Sequence, residues 1–137
     1  MKLGGKNDNK WCVITAYWVV QEKVTQLMSK TFNMSYWQQV KASINNRPVN
    51  PDPRNQVLHD LTSFIDEQKL EGYEIILMMD ANEAAKAKNS KITEFVTRNS
   101  LHDVHQTIVR DLLITTRLES KNQIDFMFIA EGIMQMI

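Results

Sequence analysis

Six residues at positions 74–79, EIILMM, constrain the fold of this chain most strongly. Five consecutive apolar side chains after one charged residue are typical of a central β-strand that is covered on both faces. The preceding segment predicts a helix, with Asp52 as N-cap, Pro53 at the first helical position and Gly72 as the C-terminal stop. A helix that leads directly into such a strand is the αβ unit of a layered sheet protein.

Three further segments carry patterns of secondary structure. Residues 11–17 (WCVITAY) predict a buried strand, and residues 124–130 (IDFMFIA) predict a last strand. Residues 92–101 predict a short helix, with Asn89 or Ser90 as its cap. Residues 21–44 could form two helices, each with an apolar stripe. Residues 109–116 could form either a strand or a helix.

Length and composition limit the classes of protein to consider. A chain of 137 residues without an internal repeat or linker is at most one domain, with residues 1–10 as a flexible lead-in and residues 11–137 as a single unit. Sixteen basic and sixteen acidic residues give no net charge, which excludes a globally basic nucleic-acid binder. The single Cys12 excludes a disulfide framework and a multi-cysteine zinc site.

The sequence shows no signature of a membrane or secreted protein. No apolar stretch approaches the roughly 20 residues that cross a bilayer, and the polar N-terminus lacks the apolar segment of a secretory signal. We therefore expect an intracellular protein, in the nucleus or the cytoplasm, with no membrane partner.

Asp80 and Asn82 follow the EIILMM strand and are the most informative polar pair. In open α/β sheets, ligands gather beyond the carboxyl ends of strands, where a carboxylate can bind a hard cation or accept a proton. The amide of Asn82 can orient a phosphate or a water molecule. The alternative is a plain turn, because Asp and Asn favour strand exits by bonding to their own backbone.

Asp125 and Tyr17 are two further candidates, and each has an alternative interpretation. A carboxylate within the apolar IDFMFIA segment needs a partner and could orient a histidine, or it could simply face solvent on a half-exposed strand. The hydroxyl of Tyr17 could contact a phosphate, or the ring could cap a core. His102 and His105 flank Asp103 and could hold a metal with it, although no third strong ligand stands nearby in sequence.

The order of these segments resembles the endonuclease/exonuclease/phosphatase superfamily, the DNase-I-like proteins, in their retroelement-associated form. The resemblance covers residues 11–137. Its specific parts are the Asp80-Ala81-Asn82 strand end and the Ile124-Asp125-Phe126 strand. Supporting parts are the Thr15-Ala16-Tyr17 strand end, the Asn50-Pro51-Asp52-Pro53-Arg54 helix start and the Ser100-Leu101-His102-Asp103 segment.

The resemblance implies a partial DNase-I-like α/β sandwich, with a mixed sheet and flanking helices, and a Mg²⁺-dependent phosphodiesterase or phosphatase activity. It implies that Tyr17 contacts the scissile phosphate. Asp80 and Asn82 would position the attacking water and the phosphate, and Asp125 would orient a histidine. The implied partners are nucleic acid or another phosphoester.

The chain also departs from the family pattern. Three features of the family have no equivalent here: the Glu that binds the metal, an Asn after the first strand and the closing Ser-Asp-His. In addition, Phe126 replaces the usual Tyr. We therefore expect weak or no activity from this chain alone, and self-association if one sheet is incomplete. The alternatives are a non-catalytic relic of the family and an unrelated small α/β interaction module.

Overall fold

Five strands form one mixed sheet in the part of the chain that the computed structural model describes, residues 1–5, 9–18, 52–82, 90–108 and 125–136. The elements in chain order are β1 (Lys2–Gly4), β2 (Lys10–Tyr17), α1 (Pro53–Leu70), β3 (Glu74–Asp80), α2 (Lys91–Arg98), β4 (Leu101–Asp103), α3 (Val104–Ile108), β5 (Asp125–Ala130) and α4 (Glu131–Met134).

Strand β3 lies at the centre of the sheet, whose strand order is β1-β2-β3-β5-β4. It pairs parallel with β2 on one side and antiparallel with β5 on the other. Strands β1 and β4 form the two edges and are antiparallel to their neighbours. The prediction of an α/β fold with a mixed sheet and flanking helices is therefore confirmed. The DNase-I-like arrangement stays a prediction.

One face of the sheet carries the hydrophobic core. Alternate side chains of β2, β3 and β5 pack there against Ile65 of α1 and against Ile92 and Phe95 of α2. The members from the three strands are Cys12, Ile75, Leu77, Met79, Phe126, Phe128 and Ala130, all at most 5% exposed. This period of two is expected for strands that bury one face. Cys12 is thus the small buried side chain that its position in a strand suggests.

The opposite face of the sheet, called here the outer face, is apolar but less covered. Met78 of β3 and Leu3 of β1 expose 41% and 38% of their surface. Side chains on this face include Leu3, Trp11, Val13, Ile76, Met78 and Met127. Among residues 74–79, which were predicted to be covered on both faces, Met78 is exposed and Ile76 is half-buried; among residues 11–17, which were predicted to form a buried strand, only Cys12 is buried. A continuous apolar run does not reveal how much material packs on its second face.

The N-terminal ends of both longer helices and the C-terminal end of α1 follow the predicted capping signals. Asp52 Oδ1 accepts hydrogen bonds from the backbone N–H groups of Arg54 and Asn55, at 3.0 and 3.3 Å. Glu71 is the C-cap of α1, and Gly72 follows it with a φ of 82°, a conformation that favours glycine. Ser90 caps α2 by accepting from Thr93 N at 3.4 Å.

A buried asparagine joins the two helices. Asn99, 2% exposed, donates from Nδ2 to Thr62 Oγ1 at 3.2 Å and to Phe95 O at 2.8 Å. Its backbone carbonyl accepts from Lys69 Nζ at 2.5 Å. These bonds fix the end of α2 against α1 and so help to hold both helices on the core face.

Two elements differ from the sequence prediction. Residues 1–10 were expected to form a lead-in without an element, but Lys2–Gly4 forms the edge strand β1. The N-terminal amine of Met1 also donates to Val13 O at 2.7 Å. Leu101 was assigned to a helix but begins strand β4. Both strands have three residues, and such short edge strands depend on a neighbour's backbone more than on a local pattern.

Some predictions fall outside the described residues. These are the helical stripes in residues 21–44, the ambiguous segment 109–116, the alternative cap Asn89 and the first residue of the last predicted strand, Ile124. Within the described ranges, no helix has the length and hydropathy needed to cross a bilayer.

The alternation of buried and exposed side chains in β3 can be tested by substituting one residue on each face of the strand. We expect Leu77→Ala to lower the free energy of unfolding by about 2–5 kcal/mol, because it leaves a cavity in the core. The adjacent substitution Met78→Ala should cost less than about 1 kcal/mol, since Met78 faces outward and is 41% exposed. Urea unfolding of both variants measures the difference. Equal losses would contradict the assignment of the two faces.

Candidate functional site

Three of the four predicted site residues lie in one row that crosses the three central strands of the sheet at one end. Tyr17 at the end of β2 is the register partner of Asp80 at the end of β3, and Asp80 is the partner of Asp125 at the start of β5. Adjacent strands are about 4.8 Å apart, and directly opposed residues project from the same face. The row therefore brings a phenol and two carboxylates together at one end of the outer face.

Tyr17 and Asp125 are both accessible in this row. The Tyr17 side chain is 52% exposed, so it does not cap the core, which was the alternative interpretation of this residue. Asp125 is exposed at the first described position of β5. Its carboxylate therefore does not carry the free-energy cost of burial in an apolar strand. This agrees with the interpretation in which Asp125 faces solvent.

Asp80 is the most perturbed carboxyl group of the row. Partial burial raises its pKa above the ordinary value, the backbone N–H of Asn82 lowers it, and the Asp125 carboxylate raises it again. The net result is a raised pKa. A group that is partly desolvated beside a like charge is a common feature of acid–base sites.

Asn82 is fixed by two hydrogen bonds at the exit of β3. Its backbone N–H donates to Asp80 Oδ1 at 3.3 Å, and its side-chain Nδ2 donates to the backbone carbonyl of Trp18 at 3.0 Å. Its φ is 47°, in the left-handed region that Asn tolerates better than most residues. The turn interpretation thus describes the local backbone, and the same turn holds Asn82 next to the row.

Trp18 and Arg54 belong to this region although the sequence pattern gave them no role. Trp18 is fully buried, and its Nε1 donates to Arg54 O at 2.8 Å. The Arg54 guanidinium carbon lies 3.5 Å from the centre of the Trp18 ring, and Arg54 is 3% exposed. An aromatic residue directly after a strand and an arginine in the first turn of a helix were the available signals, and neither is specific.

The histidines do not form a metal cluster with Asp103. His102 Nε2 lies 2.5 Å from Glu131 Oε2, whereas His105 Nδ1 is 3.9 Å from Asp103 Oδ1. His102 and Asp103 are consecutive in a strand and project to opposite faces. No cluster of three or more His, Cys, Asp or Glu side chains with metal-binding geometry occurs among the described residues. His59 is exposed on α1.

A separate groove lies between α1 and α2. It has a volume of about 220 Å³, and its lining includes His59, Lys91, Glu94 and Arg98. None of the four predicted site residues lines it. The groove and the strand-end row are therefore distinct features, and the groove contributes nothing to the row.

No family model, no curated protein and no solved structure matches this chain. The family resemblance and the roles that it implies therefore stay predictions.

The raised pKa of Asp80 predicts how stability depends on pH. Folding favours the protonated carboxyl, so the folded state loses stability as pH rises from the unfolded-state pKa of Asp80 through its raised folded-state pKa. We expect Asp80→Asn to raise the free energy of unfolding at pH 7, by at most about 1 kcal/mol because water screens this partly exposed group. The gain should shrink as pH falls towards 4.

Urea unfolding of the parent and the variant at several pH values measures this difference. Asp66→Asn is the matched control, because Asp66 is exposed on α1 and does not belong to the row. A loss of stability in Asp80→Asn at pH 7 would contradict the prediction.

Proposed function

We propose that this chain is a Mg²⁺-dependent phosphoester hydrolase, a nuclease or phosphatase of the endonuclease/exonuclease/phosphatase type, with weak or no activity by itself. The observation that carries the proposal is the row Tyr17–Asp80–Asp125, three register neighbours on adjacent strands. The sequence singled out these residues separately, from segments that are 63 and 45 positions apart along the chain. Their juxtaposition supports a shared chemical role.

The carboxylate and amide oxygens in and beside this row are of the donor type that a hard divalent cation prefers. Mg²⁺ at phosphoryl-transfer sites is commonly bound by one or two carboxylates together with substrate phosphate and water. Asp80 and Asp125 would supply the carboxylates, and the Asn82 amide oxygen is a further donor of the same kind. When bound, Mg²⁺ would neutralise charge on the phosphate.

The side chains of the row have complementary chemical roles in this proposal. The Tyr17 hydroxyl donates a hydrogen bond to a phosphate oxygen. Asp80 orients the attacking water and accepts its proton as a general base. The amide of Asn82, fixed by the Trp18 carbonyl, orients the phosphate or the water.

The expected low activity follows from the family residues that have no equivalent here. One positioned acid–base group is commonly worth about 10²–10⁴-fold in rate. A row without the family's metal-gripping Glu and its histidine should therefore be slow unless a second chain supplies the missing groups. The substrate in this proposal is nucleic acid or another phosphoester.

Cleavage assays with a matched variant test the proposal. We expect slow hydrolysis of a single-stranded oligonucleotide or of bis(4-nitrophenyl) phosphate, dependent on Mg²⁺ and abolished by EDTA. Asp80→Ala should reduce the rate by about 10²-fold or more, since it removes the base, whereas the same substitution at the exposed Asp66, Asp66→Ala, should retain the parental rate. Activity that is indifferent to Mg²⁺ or to Asp80→Ala would contradict the proposal.

A thermal melt separates binding from catalysis. A cation that binds only the folded chain raises the midpoint by mass action, by about 2.7 kcal/mol of stability at 100 times its dissociation constant. A Mg²⁺-dependent rise that disappears in Asp80→Ala, without cleavage, would indicate a site that binds the metal but lacks catalytic groups.

A non-catalytic interaction module is the second candidate, and the outer face of the sheet favours it. Leu3, Tyr17 and Met78 project from this face and are 38%, 52% and 41% exposed. Apolar surface of this kind commonly marks a protein–protein contact. In this candidate, a second copy of the chain packs against the outer face, and the row at its end has no catalytic role.

Sedimentation velocity tests the second candidate. We expect the parent chain to self-associate and Met78→Lys to shift it towards the monomer by at least tenfold in dissociation constant, because a charge would be buried in the contact. Leu70→Lys is the control, since Leu70 is 89% exposed at the end of α1, remote from the outer face in the fold. A monomeric parent, or equal effects of the two variants, would eliminate this candidate.

A further inference from the structure

We propose that Trp18 is a positioning residue that couples the first turn of α1 to the turn holding Asp80 and Asn82. The inference rests on the proposed function, because it concerns how that site is held. Trp18 reaches the row only through other groups, so it is not a catalytic residue. Its role would be to fix the amide of Asn82 in the orientation that the chemistry needs.

The backbone of Trp18 contacts both ends of the Asp80–Asn82 turn. Its N–H donates to Asp80 O at 2.8 Å, one step beyond the ladder between β2 and β3. Its carbonyl accepts from Asn82 Nδ2 at 3.0 Å. Because Asp80 Oδ1 in turn accepts from Asn82 N, the three residues form one connected set of hydrogen bonds.

The indole of Trp18 fixes the position of that backbone. It is fully buried, Nε1 donates to Arg54 O at 2.8 Å, and the Arg54 guanidinium stacks at 3.5 Å from the ring centre. The ring is thus held by both the main chain and the side chain of Arg54. A shift of the indole would displace the Trp18 carbonyl and, with it, the Asn82 amide.

This arrangement restricts what Asn82 can offer to a ligand. One N–H of its side chain is used by the Trp18 carbonyl, which sets the plane of the amide. The backbone of Asn82 at this point is left-handed, with a φ of 47°. The amide oxygen and the second N–H are then presented in one fixed orientation, which is the property required of a group that aims a water molecule or a phosphate.

A closely matched pair of variants separates positioning from packing. Trp18→Phe keeps an aromatic ring and removes the bond from Nε1 to Arg54 O. Trp11→Phe makes the same change near the start of β2, seven residues earlier in the chain, but Trp11 Nε1 is buried and has no hydrogen-bond partner in the described part of the chain. Both variants lose similar aromatic volume from the protein. A purely structural role would lower stability without a specific effect on Asn82.

The first readout is the Asn82 side-chain amide in ¹H–¹⁵N NMR spectra of the full chain. We expect its protons to exchange with solvent at least about tenfold faster in Trp18→Phe, and at the parental rate in Trp11→Phe. The second readout is cleavage of bis(4-nitrophenyl) phosphate with Mg²⁺. There kcat should fall by about tenfold to 100-fold in Trp18→Phe, with KM unchanged within a factor of two, because misplacement of a positioning group affects the chemical step.

Each outcome has a defined meaning. Unchanged exchange of the Asn82 amide in Trp18→Phe, or equal changes in the two variants, would overturn the positioning role whatever the activity. If Trp18→Phe does not fold, Arg54→Lys removes the planar stack, keeps the charge and is judged by the same readouts. If the parent chain cleaves nothing and Mg²⁺ does not raise its melting midpoint, the proposed function fails, and the NMR comparison still decides whether Trp18 positions Asn82.

Discussion

The pairing of β3 with a parallel strand on one side and an antiparallel strand on the other underlies every other feature of this structure. It aligns the end of β2, the end of β3 and the start of β5 at one edge of the ladder. Because the strand period is two, the same register sends Leu77 to the core and Met78 to the outer face. Core and candidate site are therefore set by a single alignment of backbones.

The core elements were predictable because their signals are local. Asp52, Pro53 and Gly72 bound α1, and apolar runs mark β3 and β5, so the αβ unit follows from short stretches of sequence, whereas the mixed sheet was an implication of the family resemblance. Neither edge strand was predictable. Strands β1 and β4 have three residues each and form because a longer neighbour offers unpaired backbone groups.

The candidate site was predictable only as a set of separate residues. Asp80 and Asn82 stand out through their place after an apolar strand, whereas their proximity to Tyr17 and Asp125 depends on strand order, which no local pattern encodes. Trp18 and Arg54 were missed for a related reason. Their significance lies in one contact across 36 positions of sequence, between an indole and the start of a helix.

The backbone of Asn82 has a consequence for how this position can vary. A φ of 47° admits few residues apart from glycine, asparagine and aspartate. Glycine would retain the turn but lose the amide that bonds to Trp18, and aspartate would add a third carboxylate beside Asp80 and Asp125 while turning a donor into an acceptor. Asparagine thus fits both the left-handed backbone at this position and the hydrogen bond to the carbonyl of Trp18.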